Sequence, residues 1–285
     1  MIENFRPGLM DELGLGFEAL RAQNPRLVTC SLTAFDEDVP DSASRPGYDI
    51  IVQALSGLMS VTGPKEGEPT KAGVALLDVV AGLYAAIGIL AALHERDRTD
   101  HGRHVSVALF DASVAAMVNQ AANFLVGGVV PRAMGSEHPN IVPYQAFEAS
   151  DRPFIVAAGN DRLFARTCAV IGHPEWATDR RFATNEDRVR HRGELIDLLA
   201  GAFAQRPADA WIEALTEVAV PCAPIRGMDE VFGAPEGAAL VQEIADQARG
   251  GSIRSVADPI RFDGRRLAVR RRPPSLDEHA GQGWA

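Results

Sequence analysis

The chain has 285 residues, 46% of them hydrophobic and 23% charged, with a formal net charge of −10. That balance suits a soluble globular protein with a large core and room for two domains. It argues against a nucleic-acid binder, which needs a basic face. The three cysteines, Cys30, Cys168 and Cys222, lie far apart with neither metal-ligand spacing nor a disulfide framework, so a reducing, cytoplasmic setting is expected. "MIENFRPG" at the start lacks the basic and apolar regions of a signal peptide.

In chain order, "MIENF" predicts the end of a strand and "RPG" a turn. Met10 to Gln23 predicts one short helix, with Leu13, Leu15, Phe17 and Leu20 as its apolar residues and a stop at Pro25. "RLVTCSLTAF" is rich in β-formers and predicts a strand, followed by the polar loop "DEDVPDSASRPGYD". Ile50 to Val61 predicts a helix that frays at Gly57. Leu76 to Arg96 predicts the longest helix, closed by "RTDHG" with Gly102 in a left-handed C-terminal position. "RHVSVALFD" predicts a buried strand, with Asp111 capping a helix that runs to about Leu125. Alternating helices and strands predict an α/β layer with a largely parallel sheet.

The Gly/Pro-rich stretch 127–143 reads as a connection between domains. Beyond Tyr144, "PFIVAAG" predicts a strand and "NDRLFARTCAVIG" a helix. "RVRHRGELIDLLAGAFAQR" predicts one amphipathic helix, and "PADAWIEALTEVAV" another with Pro207 near its first turn. "PCAPI" predicts a strand, and "GSIRSVADPIRFDG" and "RRLAVRRRPP" read as strand and extended chain. The expected domains are 1–126, a large domain; 127–143, a linker; 144–226, a small domain; and 227–285, a segment returning to the large domain.

Nearly every residue from Val74 to Leu93 is apolar, Gly or Ala; Asp78 is the exception. The run is about long enough to span a bilayer, but its Ala and Gly content and its carboxylate predict a buried core helix and no membrane span. An isolated ionised carboxylate in an apolar interior costs several kcal/mol, and a helix N-terminus returns at most about 2 kcal/mol. Asp78 therefore faces water, is paired or protonated, or lines a cavity. In a cavity it has no metal cluster, phosphate loop or nucleophile elbow beside it. A lone carboxylate then acts as a base, or as a nucleophile toward an activated electrophile such as a thioester. His94, His101 and His104 flank a helix end and read as surface or capping residues. His138 in "SEHPN", and Tyr48 with Asp49 in "RPGYD", line a cleft or brace solvated turns. The basic run Arg265 to Arg272 reads as a solvated ribbon.

"IENFRPG", "RPGYDIIVQALSGLMSVTG", "GVALLDVVAGLYAAIGILAALHER", "GRHVSVALFDASV", "HPNIVPYQAF", "RFATNEDRVRHR" and "VPCAPI", in that order, resemble the family III CoA-transferases. This CaiB/BaiF family includes formyl-CoA and succinyl-CoA transferases and the α-methylacyl-CoA racemases. The resemblance implies an α/β fold with a Rossmann-like CoA-binding large domain, a smaller α+β domain and an interlocked homodimer. It places the nucleophilic aspartate at Asp78, CoA contacts at Asn4, Phe5 and Arg6, and Tyr48 at the thioester end of the cleft, with Asp49 and His138 as further cleft residues. Coenzyme A and acyl-CoA enter as substrates, with no permanently bound cofactor and no metal. The implied reaction moves CoA to a carboxylic acid through an aspartyl anhydride and an aspartyl-CoA thioester, and backbone donors near the helix start are expected to hold the oxyanions.

The racemases of the family carry a histidine where this chain has Tyr48, and a tyrosine with a pKa near ~10 is a poor base at neutral pH; a racemase-like enzyme is the alternative. The chain is expected to be truncated at its N-terminus, with the opening strand–helix units of the large domain absent. "AFDEDVP" replaces the family's "GFGQ"-like turn, Glu12 stands where relatives carry a basic residue, and the ending "PPSLDEHAGQGWA" resembles the family's "LGEHT" signature. A non-catalytic fragment, or a partner subunit of a split transferase completed by another chain, is the third reading.

Overall fold

The computed structural model describes residues 1–45, 47–246 and 250–281. Pro46 of "RPGYD" and residues 282–285 of the terminal signature lie outside them. The fold is mixed α/β, and the chain divides into two compact units, Met1–Gln145 and Ala146–Ala285. Residues 227–285 belong to the second of these.

The first unit contains β1 (Ile2–Glu3), α1 (Leu9–Glu12), α2 (Phe17–Gln23), β2 (Thr29–Thr33), α3 (Asp49–Leu55), α4 (Leu58–Val61), α5 (Leu76–Thr99), β3 (His104–Ala108), α6 (Leu109–Ala116) and α7 (Val118–Leu125). Its strands form a parallel sheet in the order β1-β2-β3, with Ile2 opposite Cys30 and Thr29 to Thr33 opposite His104 to Ala108. The central strand β2 is almost wholly buried, as a strand covered on both faces must be. α5 packs on this sheet through small side chains. Ala81, Ala85 and Ala92 are buried, and a Cβ on Gly88 would come within 2.7 Å of Val105 Cγ1. Val52, Leu77, Ala81, Leu109 and Ala112 form the core between α3, α5 and α6.

The expected buried core helix is thus buried on one side only. Val79, Leu83, Ile87 and Leu90, on the opposite face of α5, are each more than half exposed. The helix is long and apolar enough to cross a membrane by length and composition.

A three-stranded sheet of β4 (Tyr144–Glu148), β5 (Pro153–Ala157) and β6 (Cys222–Pro224), in that order, starts two residues before the second unit and otherwise belongs to it. The helices of this unit are α8 (Asp161–Val170), α9 (Asn185–Arg190), α10 (Arg192–Phe203), α11 (Ala208–Glu217), α12 (Met228–Gly233) and α13 (Pro235–Ala238). Two antiparallel pairs follow, β7 (Val241–Asp246) with β8 (Gly251–Val256), and β9 (Arg261–Phe262) with β10 (Arg265–Arg266). Phe203 is the hub of the core: Phe147, Phe154 and Trp211 place their rings 4.9, 5.2 and 5.5 Å from it. Arg188 is fully buried yet satisfied, donating to Phe182 O at 2.9 Å and to Asp161 Oδ1 at 2.8 Å, with its guanidinium over the Phe164 ring.

Several expected helices are interrupted. The helix expected over 10–23 is α1 and α2, divided at Gly14, whose φ of 70° is left-handed. Gly57, at φ 87°, separates α3 from α4. The helix expected to run to Leu125 breaks between α6 and α7, where Val118 takes φ 38°. The helix expected over 188–206 breaks at His191 between α9 and α10. Asp111 lies in the first turn of α6 but does not cap it; Ala108 is the N-cap residue and no side chain bonds there. Asp100, at φ 61°, takes the left-handed position after α5 that was expected of Gly102. Residues 228–238 form α12 and α13.

Candidate active site

The three parallel strands end at Glu3, Thr33 and Ala108, and a cleft of about 610 Å³ opens at that edge of the sheet. Crevices at the carboxyl ends of parallel strands are where open α/β sheets bind ligands. The segment after β1 contributes Asn4, Phe5 and Arg6, the chain after β2 contributes Phe35 and Arg45, and the first turn of α5 contributes Asp78.

Asp78 is exposed at the mouth of this cleft, one residue beyond the buried Leu77. Facing water and lining a cavity, alternatives in the sequence, are here the same position. α5 begins without a capping side chain of its own, because Ala75 is the N-cap residue. The cap comes from another helix. Asp49 Oδ2 accepts hydrogen bonds from Leu77 N at 2.8 Å and from Asp78 N at 3.3 Å. Gln53, fully buried one turn along α3, donates through Nε2 to Asp49 Oδ1 and accepts through Oε1 from Ala72 N at 2.9 Å. The Asp78 carboxyl titrates above its ordinary range, chiefly because partial burial disfavours its charge and secondarily because the Asp49 carboxylate lies nearby.

This cap occupies the donors expected to hold an oxyanion. Leu77 N and Asp78 N bond to Asp49, Leu76 N to Val74 O at 2.8 Å, and Val79 N to Ala75 O at 3.3 Å. Every amide from Leu76 to Val79 is engaged within the chain.

Other sequence-derived candidates fall in different places. Arg6 pairs with Glu12 at 2.6 Å, so that carboxylate neutralises the neighbouring cation. Phe5 is half-exposed, and its amide bonds to Glu3 Oε2 at 2.8 Å. Tyr48 lies outside the cleft lining, its side chain 74% exposed. Asp49 stands behind Asp78 at the helix start, not on the cleft wall. His138 also lies off the lining; its ring meets Tyr144 edge-on and its Nδ1 accepts from Asn140 N at 3.1 Å. Arg45, which sequence reasoning missed, has its guanidinium 3.8 Å from the centre of the Phe35 ring at the cleft. Its only signal was a cation next to "GYD" in a loop whose path periodicity does not predict. Among the described residues, no three His, Cys, Asp or Glu side chains are grouped to hold a metal.

Residues 1–280 match the family model described as CoA-transferase family III. The chain belongs to this family. This family III member is 38% identical, over 99% of its length and 70% of the relative's, to the succinate–glutarate CoA-transferase of Agrobacterium fabrum. It is 37% identical to the acetyl-CoA:oxalate CoA-transferase of Acetobacter aceti, over 93% of its own length and 67% of the relative's. A solved CAIB/BAIF family protein from Brucella suis is 41% identical and superposes with a TM-score of 0.79, covering 98% of this chain and 72% of that one. The chain spans 62–70% of the length of such curated relatives.

Proposed function

We propose that this chain moves CoA from an acyl-CoA donor to a carboxylic acid, with Asp78 as the nucleophile. The observation that carries the reading is the position of Asp78: a carboxylate in the first turn of α5, open to a cleft at the carboxyl edge of a parallel sheet. The names of the relatives support the reaction class.

The reaction runs as a relay of anions. An Asp78 carboxylate oxygen attacks the thioester carbonyl, the C–S bond breaks, and CoA leaves as a thiolate from a mixed anhydride. The thiolate attacks the aspartyl carbonyl of that anhydride, and the donor acid leaves as a carboxylate. The acceptor carboxylate then attacks the aspartyl-CoA thioester and again displaces the thiolate. Attack of the thiolate on the acceptor's acyl carbon gives the new acyl-CoA and frees Asp78. Each step consumes one anion and releases one, so no proton has to move. That accounts for a nucleophile without a neighbouring histidine.

Asn4, Phe5 and Arg6 are assigned to CoA, and Arg45 adds a cation on the same wall. Tyr48 and His138 lie off that lining, and their expected places at the thioester end and in the substrate cleft stay part of the proposal. Oxyanion donors come from groups other than the first-turn amides of α5, which are engaged. Association as a homodimer is part of the same proposal. So is a cytoplasmic setting, supported by the free thiols Cys30, Cys168 and Cys222.

The test is capture of an Asp78 adduct. Incubation with acyl-CoAs and hydroxylamine, followed by peptide mass spectrometry, is expected to yield a hydroxamate at Asp78. Asp78→Ala is expected to fold normally and lose transfer by at least about 10³-fold. Wild-type turnover in that variant would sink the assignment.

A further inference from the structure

We infer that Asp49 is a positioning residue whose fixed negative charge, held by Gln53 against the start of α5, favours the covalent states of Asp78 over its free carboxylate. The inference rests on the reading of Asp78 as nucleophile.

Capping alone does not require a charge at position 49. Asn, Ser or Thr satisfy helix-start amides about as well as Asp. Here the cap reaches across 28 residues to the helix that carries Asp78, and it places a second carboxylate at the same helix start. The charge is also immobilised. Gln53 is fully buried, binds Asp49 Oδ1, and through its other amide atom binds Ala72 N, so the segment leading into α5 and the Asp49 carboxylate are fixed together.

Two like charges held at one site disfavour each other's ionised form. In the proposed relay, both anhydrides and the aspartyl-CoA thioester turn Asp78 from an anion into a neutral acyl group. Each therefore relieves the repulsion from Asp49, while the Asp49 carboxylate keeps its bonds to Leu77 N and Asp78 N. The other charged groups on the cleft are Glu3, Arg6 and Arg45. Arg6 is paired with Glu12 and Arg45 lies over the Phe35 ring. After partial burial, the nearby Asp49 carboxylate is the charge that holds the Asp78 carboxyl above its ordinary range.

The test uses the full chain, ¹³C-labelled at aspartate, with succinyl-CoA as the probe. Asp49→Asn keeps an acceptor for both amides and removes the charge, while placing an amide donor opposite Gln53 Nε2. In that variant Asp78 is expected to titrate at lower pH than in the wild type, with an unchanged circular dichroism spectrum. Hydroxylamine is expected to trap several-fold less Asp78 adduct than in the wild type. Asp49→Glu, which restores the charge, recovers both readouts in part. An unchanged Asp78 titration in Asp49→Asn overturns the inference. If the wild type itself yields no adduct, the nucleophile reading fails and the effect on covalent states falls with it. A lowered titration in Asp49→Asn would then uphold only the charge coupling. Should Asp49→Asn not fold, the wild type decides, because the Asp78 resonance must then respond to the ionisation of Asp49; independent titration of the two overturns the inference.

Discussion

Asp78 is ionised at some cost to the fold. Its carboxyl holds its proton to higher pH in the folded chain than an ordinary aspartate does, through partial burial and then through Asp49. The folded state therefore binds more protons than the unfolded state between the two titrations. Stability falls as pH rises through that window, and the loss persists at neutral pH. Asp78→Asn is expected to melt at a higher temperature than the wild type at pH 7, with the difference shrinking toward pH 3, where both states hold the proton. The gain is small because Asp78 is largely open to solvent, and differential scanning calorimetry at the two pH values measures it. An equal or lower melting temperature at pH 7 contradicts the argument. Asp78 was legible in the sequence because a single carboxylate interrupts an apolar run. The role of Asp49 was not. "GYD" marks it as a turn residue, and the contact that matters is made to a helix 28 residues further on. Only the packing of α3 against α5 creates that contact.

Elements were legible where periodicity is strong and their ends where chemistry is local. The strand β2, the long helix α5 and α8 all lie where apolar spacing puts them. Breaks set by tertiary packing were not legible. Gly102 is the sharpest case: it looked like a helix terminator, but Asp100 already terminates α5. Gly102 is needed for close approach, since a Cβ there would lie 1.9 Å from Leu27 O. Its amide is also held by Pro25 O at 2.7 Å, which prevents retreat. Gly102→Ala is expected to destabilise the fold by about 1–3 kcal/mol, the usual cost of overpacking. Gly201→Ala, in an exposed turn of α10 with nothing within 4 Å of the added methyl, is expected to stabilise by about 0.5–1 kcal/mol. Urea denaturation of the two variants checks both signs. A neutral Gly102→Ala would show that the strand approach yields easily, contrary to the geometry.

For the molecule as a whole, α5 presents a conflict that one chain does not resolve. A helix that is hydrophobic all round is ordinarily buried all round. Here the small-residue face packs on the sheet while Val79, Leu83, Ile87 and Leu90 are 58%, 61%, 64% and 66% exposed. Phe124, Leu125 and Val126, at the end of α7, add further exposed apolar surface in the same unit. An exposed apolar stripe such as that on α5 marks an interaction site or an aggregation hazard. With homodimerisation proposed, the occupant expected on the α5 face is a second copy of the chain. A stable dimer buries about 800 Å² on each partner, more than four side chains supply, so the α5 stripe is the centre of the contact and not its whole. Sedimentation velocity is expected to show a concentration-dependent dimer at micromolar chain. Leu83→Glu with Ile87→Glu places two charges at the middle of the stripe, where burial would cost several kcal/mol. It is expected to shift the species to monomer while leaving the Asp78 face of the helix intact. A wild type that stays monomeric at every concentration, or a double variant that dimerises as well as the wild type, would remove the α5 face from any such contact. The exposed stripe would then be left for a partner of different sequence.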